Sequence, residues 1–253
     1  MAATLNERQQ QILELLKTEG EVKITELSNK FVVTEMTIRR DLERLELEGF
    51  AKRTFGGAIP LGKDVAFLDR SGYMTEEKMK IGKMAAELVQ PGESIFLDGG
   101  TTTHQVARYL KNGLQITVVT NAINIAAELL GKNIPTIVIG GILLETTSSL
   151  VGPIAAETLS GMAFDRIFLG ATGINRVHGF SNSNLYEAEI KKMAIRQASE
   201  VNVVLDHSKF GAKELVSFAA LSQVKRIITD QMPDIDLFRA VHEASVEIGV
   251  VNK

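Results

Sequence analysis

Seven short apolar runs alternate with helical patterns along most of this chain, and that alternation restricts its fold more than any other feature. The runs lie at residues 94–98, 116–120, 136–140, 166–170, 201–206, 226–230 and 246–251. They are near-continuous Ile, Val, Leu and Phe, as a strand covered on both faces requires. Residues 104–110, 122–130, 153–162, 186–200 and 235–244 carry helical spacing between them. Residues 75–90 add a further helix with Met79, Met84, Ala85 and Leu88 apolar, stopped by Pro91-Gly92. Strand and helix in repetition predict a Rossmann-like, mostly parallel α/β sheet with helices on both sides.

The ends of these strands hold the polar residues. Asp98, Gly99, Gly100, Thr101, Thr102 and Thr103 follow the first run, Asn121 the second, and Gly140-Gly141 the third. Gly170 and Thr172 close the fourth, and Asp206 with Lys209 the fifth. In an open parallel sheet the C-terminal strand ends share one edge, where ligands bind. Glycine amides, threonine hydroxyls and a helix N-terminus at Gly99–Thr103 suit an anion, with Lys209 as a point charge. The same loop also reads as a tight turn capped by Thr101. Asp98 and Asp206 fit either the hydroxyls of a ligand or helix caps.

The first sixty residues differ. Asn6 caps a helical pattern with Ile12, Leu13, Leu15 and Leu16 apolar, broken at Gly20. Thr25 caps a short segment burying Leu27 and Phe31, and a Val32-Val33 turn leads to a helix capped by Thr34 and stopped at Gly49. In that helix Ile38, Leu42 and Leu45 form one stripe, and Met36, Thr37, Arg40 and Arg44 fall opposite. A hairpin with strands at 50–54 and 58–59, turned at Gly56-Gly57, carries Lys52 and Arg53. This order predicts a winged helix-turn-helix at residues 1–60, with Thr34, Met36, Thr37, Arg39, Arg40, Arg44, Lys52 and Arg53 toward DNA. Residues 61–74 lack periodicity and read as a linker, leaving 75–253 as the α/β domain.

Residues 8–42 resemble the DeoR family of bacterial transcription regulators: Arg8, Ile12 and Leu16, then Thr34, Thr37, Ile38, Arg39, Arg40, Asp41 and Leu42. Residues 75–230 resemble that family's C-terminal sensor domain in LDGGTTT, VVTNA, VIGG, FLGATGI, EAEIKKM and DHSKFG. That domain is similar to ribose-5-phosphate isomerase and related sugar-phosphate enzymes. The resemblance implies a sensor of the sugar-phosphate isomerase type, with Thr101, Thr102, Thr103 and Lys209 holding a phosphate. It also implies repression of a sugar-utilisation operon, relieved by the ligand.

This chain departs from the isomerases where their strand ends in acids. Gly170, Ala171, Thr172 and Gly173 offer no carboxylate, and moving a proton between carbons needs a base. Glu187 and Glu189 are the remaining acids in range, and Glu187–Lys191 reads as an exposed i, i+4 helix pair. The alternative function is a sugar-phosphate isomerase or deaminase with an appended DNA-binding domain; a third is a winged helix that binds protein.

Composition narrows the rest. Net charge is −3, and residues 1–60 hold nine Lys and Arg against ten Asp and Glu. A single head therefore makes few phosphate contacts, and a homodimer or homotetramer spanning two half-sites is the expected remedy. Cysteine is absent and the four histidines lack ligand spacing, so no metal or other cofactor is expected. No Gly-x-Gly-x-x-Gly points to a dinucleotide. The N-terminus lacks a signal-peptide layout and no apolar run reaches the ~18 residues of a membrane span, so a cytoplasmic protein with no membrane partner is expected.

Overall fold

The computed structural model describes residues 5–19, 21–47, 50–54, 56–60 and 74–251, with backbone alone at 17–19, 47, 52, 59 and 60. The chain divides into two compact units between residues 73 and 74. The expected linker, 61–74, lies outside the described residues except for Met74.

The first unit runs α1 (Glu7–Glu19), β1 (Val22–Lys23), α2 (Ile24–Phe31), α3 (Glu35–Leu47), β2 (Ala51–Arg53) and β3 (Gly57–Pro60). Asn6 and Gln9 cap α1 reciprocally: Gln9 N donates to Asn6 Oδ1 at 2.9 Å and Asn6 N to Gln9 Oε1 at 3.0 Å. Ile12, Leu16, Ile24, Leu27, Ile38, Leu42 and Leu45 close one core. Arg8 and Asp41 fasten α1 to α3. Arg8 Nε donates to Asp41 Oδ2 at 2.6 Å, and Gln9 Nε2 donates to Oδ1 at 2.9 Å.

Two details depart from expectation. Helix α2 starts at Ile24 without a side-chain cap, so Thr25 lies inside it. A two-residue strand, β1, joins the hairpin and makes it a three-stranded sheet, with Val22 opposite Ala58. The second glycine of the wing is required there: a β carbon at Gly57 would sit 1.8 Å from the Val22 carbonyl oxygen.

The second unit begins with α4 (Thr75–Ala86), β4 (Ser94–Leu97), α5 (Thr101–Tyr109), β5 (Thr117–Thr120), α6 (Ile123–Leu129) and β6 (Thr136–Val138). A ribbon, β7 (Ile142–Leu144) with β8 (Ser149–Val151), precedes α7 (Pro153–Ser160) and β9 (Phe164–Gly170). Then come β10 (Gly173–Asn175), β11 (Gly179–Asn182), α8 (Leu185–Arg196), β12 (Ala198–Val204), β13 (Val216–Ala219), β14 (Arg226–Thr229), α9 (Ile235–Glu243) and β15 (Glu247–Val250).

Seven strands form one parallel sheet in the order β15-β14-β12-β9-β4-β5-β6. Successive strand residues serve opposite faces. Ile95, Leu97 and Phe168 pack with α4, α5 and α6, whereas Phe96, Ile167 and Leu169 pack with α7, α8 and α9. Strand β4 stands centrally; β5 and β6 build out on one side and β9 onward on the other. The chain therefore reverses direction across the sheet between β4 and β9, the position where open α/β sheets bind ligands.

Three sequence expectations change. The helix expected over 186–200 ends at Arg196, and residues 198–200 already belong to β12, where Ala198 pairs with Phe164. The antiparallel sheet β10-β11-β13 and the β7-β8 ribbon were absent from the apolar pattern, because all are only three or four residues long and every one but β7 contains Gly, Ser or Asn. In α4 the buried face is Lys78, Ile81, Gly82 and Ala85, while Met79, Met84 and Leu88 are only half-buried.

Candidate functional site

Helix α3 presents the side chains expected to read DNA. Thr34 precedes it; its carbonyl accepts from Thr37 N at 2.9 Å, and its hydroxyl lies 2.9 Å from the Thr37 hydroxyl. With Ile38, Leu42 and Leu45 fully buried, the opposite face carries Met36, 60% exposed, and an exposed Arg40 that forms no ion pair with any described residue. Arg39 is exposed beside Glu35 at 3.8 Å, and Arg44 is half-buried.

The wing behaves differently from expectation. Arg53 is held by α3: its Nε donates to Glu46 Oε2 at 2.7 Å, its backbone N to Glu46 Oε1 at 2.9 Å, and Glu43 stands 4.0 Å away. The Glu46 hydrogen bond raises the guanidinium pKa further. Arg53 thus fixes the wing against α3 with much of its charge already matched. Lys52 lies on β2, and its side chain is outside what the structure describes.

The second site is the strand-end edge of the parallel sheet at its reversal point. Register places Leu97 of β4 beside Phe168 of β9 and Thr120 of β5, and Gly170 of β9 beside Val204 of β12. Asp98, Asn121, Gly170 and Asp206 consequently meet along one line. Asp98 is buried and bridges β4 to β9: its Oδ2 accepts from Gly170 N at 3.2 Å, and its backbone N donates to Phe168 O at 3.2 Å. The same oxygen accepts from Lys191 Nζ of α8. Lys191 is only 1% exposed and lies 5.6 Å over the Phe218 ring.

This corrects the reading of Glu187–Lys191 as an exposed helix pair. Both residues face inward, Lys191 to Asp98 and Glu187, 6% exposed, to Asn182, whose Nδ2 donates to Glu187 Oε2 at 3.1 Å. Glu189 is exposed and remains an ordinary helix charge. Asp98 and Asp206 also differ: Asp98 holds an ion pair, whereas Asp206 caps the 3-10 turn His207–Lys209 through Ser208 N at 3.1 Å.

The loop expected to take an anion is built from backbone. Gly99 N donates to Asn121 Oδ1 at 3.2 Å, and Asn121 Nδ2 donates to Leu150 O at 3.1 Å. Asn121 therefore spends its amide bracing the loop. Gly100 is the N-cap residue of α5 and cannot cap with a side chain; the first intrahelical bond is His104 N to Gly100 O at 2.9 Å. The amides of Thr101, Thr102 and Thr103 precede that bond, so none has an intrahelical acceptor. The three threonines are buried, and the Thr103 hydroxyl donates to Gly100 O at 3.0 Å, which assigns it to the turn.

Lys209 and Lys78 face Asp206. Burial pushes the Asp206 carboxyl up, but Lys209, the Ser208 hydroxyl and Lys78 together hold it below its usual range. Lys78 reaches this edge from α4 and Lys191 from α8, on opposite faces of the sheet. Sequence reasoning missed both as site lysines. Their signal is positional: each sits at helical spacing with buried neighbours, Lys78 with Ile81, Gly82 and Ala85, and Lys191 with Glu187, Ala188 and Ala194.

Two expected groups stand apart. Gly140 and Gly141 follow β6, the sheet's edge, two strands from β4 and so roughly 10 Å from it. Gly141 has a packing reason: at φ +153° a β carbon would lie 2.6 Å from the Val151 carbonyl oxygen. Thr172 donates from both N and Oγ1 to Ser181 O at 3.1 Å, tying the end of β9 to β11.

The histidines are engaged separately: His104 stands 3.4 Å from Glu128, His178 Nε2 lies 3.0 Å from Glu214 O, and His207 Nδ1 is 2.5 Å from Asp230. Among the described residues no group of three or more His, Asp or Glu could hold a metal, and no helix is long and apolar enough to cross a membrane.

Comparison with known proteins places both units. A family model described as the DeoR-like helix-turn-helix domain matches residues 8–62, and one described as the DeoR C terminal sensor domain matches residues 74–231. The chain is 37% identical over 249 residues to the uncharacterized HTH-type transcriptional regulator YulB of Bacillus subtilis, covering 97% of this chain and 96% of that one. It is 31% identical over 245 residues to the glycerol-3-phosphate regulon repressor of Escherichia coli K12, covering 96% and 97%. Among solved structures, ribose 5-phosphate isomerase A of Methanocaldococcus jannaschii superposes with a TM-score of 0.41 at 20% identity, covering 54% of this chain and 55% of that one.

Proposed function

The chain belongs to the DeoR family of transcription regulators, and on that premise we propose that it represses a sugar-utilisation operon and is released by a phosphorylated sugar. The observation that carries this is that the uncapped amides of Thr101–Thr103 and the Asp206–Lys209 strand end lie on the same C-terminal edge of the parallel sheet, on either side of β9. The amides and helix dipole take the phosphate, and Lys209 adds a point charge. Relatives named for an aga operon and a glycerol-3-phosphate regulon support a sugar-derived effector.

In the N-terminal unit Met36, Thr37 and Arg40 read base edges in the major groove. Arg39, Arg44, Lys52 and Arg53 set the position on phosphates. The domains are residues 1–60 and 75–253, joined by 61–74. Because one head carries little net positive charge, a homodimer or homotetramer engages two half-sites. The regulator meets its operator in the cytoplasm. Effector and operator favour different conformations, so each weakens the other's binding by the same factor.

The sensor is a receptor and not a catalyst, since a threonine hydroxyl after Gly170 is too weak a base at neutral pH. One observation favours the enzymatic alternative: Glu187 is a buried carboxylate close to the edge. A thermal-shift screen against sugar phosphates, with product analysis of every ester that binds, tests both readings. Saturable stabilisation without conversion is expected. Conversion that disappears in Glu187→Gln would establish the enzyme.

A further inference from the structure

Two buried acceptors at this edge lack a donor. Asn182 is 3% exposed, and its Oδ1 has no hydrogen-bond partner among the described residues; Asp206 is 1% exposed, and its Oδ2 has none either. Such atoms are costly unless something donates to them.

The orientation of each follows from its neighbours. Asn182 Nδ2 donates to the Glu187 carboxylate, which offers only acceptors, so the amide cannot flip and Oδ1 must point away. Asp206 Oδ1 takes both the Ser208 amide and the Ser208 hydroxyl, leaving Oδ2 on the other side. The two residues flank the end of β9. Gly170 is level with Val204, two residues before Asp206, and Thr172 binds the carbonyl of Ser181, the neighbour of Asn182. With about 4.8 Å per spacing, the two acceptors stand on either side of this strand end roughly 10 Å apart, a span that a phosphorylated sugar lying across it covers.

Accepting atoms select a ligand that donates. A hydroxyl donates and a carboxylate does not, and a site built to receive a hydroxyl discriminates strongly against an analogue that lacks it. We propose that Asn182 Oδ1 and Asp206 Oδ2 form the hydroxyl-recognition face of the effector site, so that the sensor selects polyhydroxylated phosphate esters over esters of equal size without hydroxyls. The proposal rests on the sugar-phosphate reading above and adds the two residues that impose selectivity.

The test uses the full chain and four probes: ribose 5-phosphate, glycerol 3-phosphate, propyl phosphate and inorganic phosphate. Dissociation constants come from thermal shift and calorimetry. Glycerol 3-phosphate and propyl phosphate share a three-carbon ester and differ in hydroxyls. In the unaltered protein at least one hydroxylated ester should bind about a hundredfold more tightly than propyl phosphate, roughly tenfold for each acceptor met. Asn182→Leu should remove about tenfold of that ratio.

Asp206→Asn keeps an oxygen for the Ser208 cap and turns an N–H toward the ligand. It should remove a similar factor, and it serves as the reading if Asn182→Leu fails to fold. Equal ratios in the variants and the unaltered protein would overturn the assignment of these residues. Binding of inorganic and propyl phosphate as tight as both hydroxylated esters would overturn the hydroxyl face and leave the anion loop standing. Failure of all four probes to bind would overturn the sugar-phosphate reading itself.

Discussion

The two units put their chemistry on opposite sides of the solvent boundary. In the N-terminal unit the apolar stripe of α3 is sealed, and Met36 and Arg40 stand exposed. In the C-terminal unit the polar groups are inside: Asp98, Lys191, Lys78, Asp206, Asn182 and Glu187 are all buried. A surface that reads DNA needs accessible charge, because phosphate contacts are made and released in water. A small-molecule site gains from buried groups, whose hydrogen bonds discriminate because water cannot replace them. Substitutions should therefore alter binding with little effect on folding in the first unit, and should alter both in the second.

The largest expected effect sits in the sensor. Lys191→Met leaves the Asp98 carboxylate buried without its cation and should destabilise that unit by about 3–5 kcal/mol, read from denaturant unfolding. Replacing Asp98 and Lys191 together by apolar residues should cost far less than the two single losses summed. Additive losses would show that the pair is not coupled.

Next comes the DNA face. Arg40→Ala should weaken operator binding by about 1–3 kcal/mol while leaving both unfolding transitions in place. Unchanged operator affinity in a folded variant would mean that this face of α3 does not read bases. A smaller effect distinguishes the wing residues. Lys52→Ala should weaken all DNA sequences alike and make the salt slope shallower by about one, whereas Arg53→Ala should change the slope less, because Glu46 already holds that charge. Equal slopes for the two variants would show that Glu46 releases Arg53 on DNA.

The smallest effect is a pH dependence. His104 lies in the first turn of α5 and is partly buried; desolvation lowers its pKa below 6.5, outweighing Glu128. The unfolded chain binds that proton more readily than the folded one. The resulting stability is present above about pH 6.5 and declines as pH falls through the lowered folded value. His104→Gln should flatten this part of the stability profile, and an unchanged slope would assign it to other groups.

The same boundary explains what could be read from the sequence. Strands β4, β5, β9, β12 and β14 and the Ile38–Leu42–Leu45 stripe were legible because burial and hydropathy agree there; the run at 136–140 was read as covered on both faces, yet β6 is the sheet's edge and Ile137 and Val138 are exposed. Thr34 and Asn6 were legible because capping is local. Glu187 and Lys191 were misread, and Lys78 was missed, for the opposite reason. Helical periodicity treats charge as exposure, and the partner that makes burial tolerable, Asp98 for Lys191, lies 93 residues away. The strand ends after β4, β9 and β12 were legible as one edge from strand polarity. Strand order was not, so Gly140-Gly141 looked as near to Asp98 as Gly170 does.

The most direct test of the central claim is fluorescence anisotropy of the full chain on DNA from its own upstream region. The titrant is a sugar phosphate that raises its melting temperature. The account predicts a saturable loss of DNA affinity, no conversion of the ester, and no such response in Lys209→Ala. DNA affinity that ignores the ester, a Lys209→Ala protein that answers at wild-type concentrations, or turnover above roughly 1 s⁻¹ would contradict it.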